Sequence, residues 1–355
     1  MAMTMAGPAL VLRFSNEVCP FSSDRASHSR LCNCFDAFGD SKNLGFLWSG
    51  QKKITCGSLM KQCLNCAKIF DSINWHCPRC DSQPERRGGL PVFAPELAQD
   101  CRGFKASYFG PLAALEEGHF WFRGRNALIF WALGKYGARV SSFMEVGCGT
   151  GFVLQSICHG FPKVRLVGSD IYPEGIAFAA ERIMGGEFMQ MDARQIPFIS
   201  EFDAVGAFDV IEHIDEDGQV LQQIYRTLKP GGLLLLTAPQ HRWLWSTVDE
   251  HACHVRRYTM RELHDKVTQA GFTIVRSTSF VTSLLPCMLI SRLSQRGKSA
   301  SFDPHAELRI NSILNRILEW FLQLELWLIR MGISFPVGGS RLIVAAKLEK
   351  NGSNS

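Results

Sequence analysis

Apolar and polar positions from residue 143 onward fall into short blocks of regular period. Phe143-Met-Glu-Val146 is an apolar run that breaks into alternate glycines, and Phe152-Val-Leu-Gln-Ser-Ile-Cys158 follows it as a helix. Val164-Arg-Leu-Val-Gly-Ser-Asp170, Glu187-Phe-Met-Gln-Met-Asp192 and Asp203-Ala-Val-Gly-Ala-Phe208 read as three further strands. Leu228-Lys-Pro-Gly-Gly232 stops the next helix, and Leu233-Leu-Leu-Leu-Thr-Ala-Pro239 gives a fifth strand. Thr259-Met-Arg-Glu262 makes a capping box for a helix that ends near Gly271. Phe272 to Phe280 and Ser340 to Lys347 complete the set. Strands alternating with helices predict an α/β fold with a seven-stranded, mostly parallel sheet, helices on both faces and an antiparallel edge pair. The ligand crevice of such a sheet lies at the carboxyl ends of its strands, where their order reverses.

An insertion, 281–339, separates the last two strands. Its segment Ala306 to Met331 carries an apolar stripe at Ile310, Ile313, Leu314, Ile317, Phe321, Leu324 and Leu328, with a second row at Leu318, Leu322 and Ile329. Glu319, Glu325 and Arg330 interrupt it, which excludes a membrane span. Packing on the protein's own core or a homodimer seam is the default expectation, with peripheral membrane contact as the alternative.

The glycines carry the first chemistry. Gly147, Gly149 and Gly151 let the backbone take positive φ and let a ligand come close. The dinucleotide fingerprint needs its third glycine where this chain has Phe152, and no Gly-Lys-Ser/Thr follows for a phosphate loop. Asp170 ends the second strand 25 positions after Glu145, where a carboxylate can accept hydrogen bonds from both ribose hydroxyls. The pattern Glu145-x-Gly147-x-Gly149-x-Gly151, with the acids and Lys229-Pro-Gly-Gly232 behind it, resembles the class I S-adenosylmethionine-dependent methyltransferases. That resemblance implies a Rossmann-like fold, S-adenosylmethionine as cofactor, and contact between Asp192 and the exocyclic amine of adenine.

After the fourth strand, Asp209-Val-Ile-Glu-His213 resembles the quinone-type O- and C-methyltransferases. Transfer to oxygen needs a base. His213 is the candidate, with Asp209 orienting it or the acceptor; helix-start packing by Glu212-His213 is the structural alternative, and a divalent ion held by these groups a further one. His119 to Arg125, where Trp121 and Arg125 stack on cofactor or acceptor or simply pack an aromatic helix face, precedes the glycine turn. The loop His241 to Tyr258 adds Asp249, His254 and Tyr258 as secondary candidates.

Cys63-Leu-Asn-Cys66 and Cys77-Pro-Arg-Cys80 bring four thiols within reach of one tetrahedral ion and predict a structural zinc ribbon. Residues 1–59 show no periodicity or signal peptide and are expected to be a disordered extension, with Cys19, Cys32, Cys34 and Cys56 as free thiols and a functional start at Met60. The ribbon then spans 60–88, a linker and cap helices 89–139, the methyltransferase domain 140–348 and a disordered tail 349–355. Over 355 residues the net charge is only +5, and no basic run calls for nucleic acid. The expected protein is cytoplasmic, or peripheral to a membrane, and acts on a small or lipid-linked acceptor. An RNA-base methyltransferase with a zinc ribbon, or a binding protein without catalysis, are the competing readings.

Overall fold

The computed structural model describes residues 60–72, 74–97, 106–295 and 310–349. The expectations for 1–59 and 350–355, including Cys19, Cys32, Cys34 and Cys56, lie outside these residues. Strands β1 (Met60–Gln62) and β2 (Ile69–Asp71) form a hairpin, and β3 (Glu85–Arg87) and β4 (Leu90–Val92) a second one. Helices α1 (Phe109–Glu116) and α2 (Phe120–Tyr136) lead into β5 (Ser142–Val146), α3 (Phe152–Gly160), β6 (Arg165–Asp170), α4 (Pro173–Arg182), β7 (Glu187–Gln190) and β8 (Phe202–Phe208). Then come α5 (Asp217–Thr227), β9 (Leu228–Pro239), α6 (Thr247–His251), α7 (Met260–Gln269), β10 (Thr273–Phe280), α8 (Leu285–Gln295), α9 (Ser312–Arg330) and β11 (Ser340–Ala346).

The main sheet runs β10-β11-β9-β8-β5-β6-β7-β4-β3. The seven expected strands are all in it, parallel from β9 to β7, with β11 antiparallel to β9 and β10. Successive residues of the central strands face opposite layers, as the strand period of two requires. Phe143, Leu166, Leu235, Leu342 and Val344 pack with α2, α3 and α9. Met144, Val167, Leu234, Leu236 and Ile343 pack with α5 and α7. Both faces are therefore covered, which explains why these strands read as continuous apolar runs.

Several elements differ from the sequence expectation: Glu85–Arg87, expected in the ribbon, is an edge strand of the main sheet, and Leu228–Gly232, expected as a helix stop, already belongs to β9. Leu90–Val92, expected as linker, is strand β4 on the free edge of β7: Val92 pairs with Gln190, and the Gln190 amide clamps Ala94 through its N–H (3.0 Å) and its carbonyl (2.6 Å). Pro91 is tolerated there because an edge strand can do without one N–H. In α9 the apolar rows exchange faces: Leu322, Leu326 and Ile329 are buried, whereas Ile313, Leu314, Ile317, Phe321 and Leu324 of the expected stripe point outward. Glu325 causes the exchange. Its carboxylate accepts from the Ser283 N–H and hydroxyl, both at 2.8 Å, so a charged position faces inward. α9 is held to the N-terminus of α2 by Asn315, which bonds the Phe120 N–H and the Gly118 carbonyl.

Candidate functional site

Because β5 is followed by β6 and β7 on one side and by β8 and β9 on the other, the order reverses between β5 and β8. The glycine turn leaves β5 at that point, and the Asp209–His213 segment leaves β8 beside it. Gly147, Gly149 and Gly151 have φ of 71°, 50° and 77°. A Cβ on Gly147 would lie 2.4 Å from Val210, and one on Gly151 would lie 2.7 Å from the Ala179 Cβ and 2.8 Å from its Cα. The turn is thus confined between the end of β8 and α4, with α3 starting from it.

Asp170 ends β6 against this turn. One carboxylate oxygen accepts the Gly149 N–H at 2.8 Å and the other the Tyr172 N–H at 3.0 Å. Burial pushes its pKa above the ordinary value, against those N–H donors. Each oxygen retains a lone pair for a ligand. Glu145 is buried on β5 with Oε2 lacking a partner, and burial, opposed by Arg125, drives its carboxyl well above the usual range. Asp192, expected at the adenine, is bound at 3.0 Å by the Arg194 Nε, and Arg194 also reaches Glu216. The sequence reading missed Glu116 and Arg182. Glu116 accepts the Thr150 hydroxyl at 2.6 Å and Arg182 at 2.7 Å, tying α1 and α4 to the glycine turn. No local pattern marks a pair 66 positions apart.

Asp209 sits at φ 57° and pairs with Arg125, whose guanidinium lies 4.7 Å over the Trp121 ring. α2 therefore delivers a cation to the end of β8, and Arg125 Nε remains buried without an acceptor. Glu212 has no exposed surface, and neither carboxylate oxygen has a hydrogen-bond partner. Burial and the neighbouring Asp209 push its carboxyl well up. His213 is exposed to solvent, with its ring 4.8 Å from that of His254. Loss of hydration, then His254, pulls its pKa below the ordinary histidine value.

His254 comes from the loop after α6. Its Nδ1 lies 2.8 Å from Asp249 Oδ1, which also accepts the Arg257 Nε at 2.7 Å, while Asp249 Oδ2 takes the Ser246 N–H at 2.9 Å. Tyr258, by contrast, is buried structure: its hydroxyl donates to Asp217 at 2.8 Å and lies 3.2 Å from the Ile211 carbonyl. His119 caps α2 through Nδ1, which accepts the Trp121 N–H, and burial lowers its pKa to about 4. The strand ends thus gather a glycine turn, several buried acids, the imidazoles of His213 and His254, and polar atoms without hydrogen-bond partners. A polar ligand would satisfy them.

At the chain's other site, Cys63, Cys66, Cys77 and Cys80 converge with Sγ···Sγ separations of 3.6 Å for Cys63–Cys80 and for Cys66–Cys77. A disulfide would require about 2.05 Å. Four bonds of about 2.3 Å to one tetrahedral ion place sulfurs about 3.8 Å apart. The β1–β2 hairpin, which carries Cys63 and Cys66, pairs with the segment before β8: Gln62 N–H donates to the Pro197 carbonyl and Ile199 N–H to that of Met60, at 3.1 and 3.0 Å.

A family model described as a methyltransferase domain matches residues 144–236. The chain is 27% identical over 208 residues to the biotin biosynthesis bifunctional protein BioHC of Teredinibacter turnerae, covering 51% of this chain and 35% of that one. It is 26% identical over 166 residues to a probable S-adenosylmethionine-dependent methyltransferase of Mycolicibacterium smegmatis, 46% of this chain and 63% of that one. Demethylmenaquinone methyltransferase of Chlorobaculum parvum is 29% identical over 104 residues, 29% of this chain and 43% of that one. The chain spans between about a third and two thirds of the length of these relatives.

Proposed function

We propose that this chain, whose residues 144–236 match a methyltransferase domain, transfers the methyl group of S-adenosylmethionine to oxygen or carbon of a small or lipid-linked acceptor. The observation that carries the proposal is the set of buried polar atoms without hydrogen-bond partners near the switch point of the sheet: Glu145 Oε2, Arg125 Nε and both Glu212 oxygens. Gly147, Gly149 and Gly151 cradle the cofactor, Asp170 takes the ribose hydroxyls, Glu145 supports the turn, and Asp192 faces the adenine once Arg194 yields. Asp209, fixed by Arg125, orients the acceptor, and His213 accepts its proton; alignment of nucleophile with methyl does the rest.

The four cysteines hold a structural zinc ion, because a closed four-thiolate site leaves no position for an acceptor. A bilayer surface is the proposed source of the acceptor. No described helix is long and apolar enough to cross a membrane. α9 nevertheless turns Ile313 (74% exposed), Ile317, Trp320 (62%), Leu324, Trp327 and Met331 outward beside the exposed Arg316 and Arg330, which suits an anionic surface. Flotation with anionic vesicles tests this; a monodisperse dimer that does not float would overturn it.

The transfer itself is tested by incubating the chain with labelled cofactor and separate lipid, polar-metabolite and RNA extracts. Label is expected in lipid or metabolite. Label confined to RNA would replace the acceptor class, and none anywhere would leave a binding protein. In calorimetry, Asp170→Ala should weaken cofactor binding at least tenfold, on the order of 1.4 kcal/mol; equal affinity would remove Asp170 from the site.

A further inference from the structure

We propose that Glu212, His213 and His254 form a binding site for one divalent transition-metal ion, which takes an oxygen of the acceptor as a further ligand. One ligand atom from each of the three lies within 4.8 Å of the others. Two imidazoles and one carboxylate are a donor set that suits such ions and leaves coordination positions open.

Glu212 points to a ligand independently of this clustering. Its carboxylate has no exposed surface and no hydrogen-bond partner on either oxygen, while its backbone is fixed by the Val255 N–H donating to its carbonyl at 2.8 Å. A buried carboxylate with nothing to hold is costly, and a cation removes the cost. The direction of His254 agrees. Asp249 can only accept, so Nδ1 donates to it and Nε2 is turned toward Glu212 Oε1 at 4.0 Å. That gap is too long for a hydrogen bond. Two metal–ligand bonds of about 2.0–2.2 Å span it. Asp249, itself fixed by Arg257 and Ser246, plays the part of the outer carboxylate that orients a metal-bound histidine.

The inference rests on the proposed transfer and changes how His213 serves it. With the ion bound, His213 holds the ion, and an acceptor hydroxyl bound through its oxygen is acidified. Its proton passes to solvent water, the freed lone pair forms the O–CH3 bond, and the S–CH3 electron pair stays on sulfur, leaving a neutral thioether. Asp209 and Arg125 stand beside the site and act as positioning residues.

Manganese(II) is the probe, because a hard ion avoids the four thiols. Titration of the full chain followed by electron paramagnetic resonance is expected to find one saturable equivalent. Glu212→Gln and His254→Ala should each weaken it at least tenfold, and Asp249→Asn by about 10–100-fold. Calorimetry with S-adenosylmethionine on the same samples checks folding and tests the transfer reading separately; His254→Gln serves if Glu212→Gln does not fold. No saturable manganese, or equal affinity in the variants, overturns the metal site while leaving the transfer reading in place. Saturable manganese without cofactor binding would do the reverse.

Discussion

Asp203 shows how single residues hold the frame of the site. It is the second residue of β8, and Lys229 of the Lys-Pro-Gly-Gly segment reaches it at 2.7 Å while Ser141 and Ser142 donate four hydrogen bonds of 2.6–2.9 Å. Partial burial favours its neutral form, but these donors outweigh burial and lower its pKa to about 2. The folded state therefore prefers the ionised group. Its contribution is present above the ordinary pKa near 3.8 and is lost as pH falls toward 2. Asp203→Asn should destabilise the chain by about 1–2 kcal/mol at pH 7, allowing for its partly open side. The gap in urea midpoints between variant and wild type should narrow from pH 5 to pH 3; a constant gap would assign the effect to packing. The glycines, the acids at strand ends and this lysine were all legible by position. The Glu116–Arg182 pair and the missing hydrogen-bond partner of Glu212 were not, because a partner, or the lack of one, is a fact about space.

Among the elements, α9 illustrates where periodicity runs out. Two apolar rows lie on one helix, and spacing alone assigns the richer row to the core. Burial of Glu325 under Ser283 and the close approach of Leu322 to Gly124 select the other: a Cβ on Gly124 would come within 2.8 Å of Leu322 Cδ1. Leu322→Ala should cost about 2–4 kcal/mol and Leu324→Ala no more than about 0.5 kcal/mol in thermal denaturation. Comparable costs would mean that both rows are buried in solution. β4 carries the same lesson, since its Gly-Leu-Pro-Val composition reads as linker until Gln190, about a hundred positions away, supplies the edge that pairs with it.

For the molecule as a whole, the four-cysteine segment is a buttress of the main sheet. Trp75 packs edge-on against Phe198 and Phe93 at 5.2 and 4.8 Å, and Arg226 reaches the Gln62 side chain at 2.6 Å. Cys77→Ser should therefore remove one equivalent of zinc and lower the main unfolding transition, by roughly 2–4 °C for each kcal/mol lost. An unchanged main transition, with loss of ribbon signal alone, would show the hairpin to be energetically separate.

What the sequence by itself determined is whatever depends on near neighbours along the chain: strands and helices from their period, the positive-φ turn from Gly147, Gly149 and Gly151, and the metal-ligand spacing of the four cysteines. Only the tertiary structure decided which face of α9 is inward, that 90–92 is a strand, and that Asp192 is engaged by Arg194. It alone joined Glu212 and His213 from the end of β8 to His254 from beyond α6. The physical reason is that burial and electrostatic pairing act through space. A carboxylate without a partner becomes informative once the fold has closed around it.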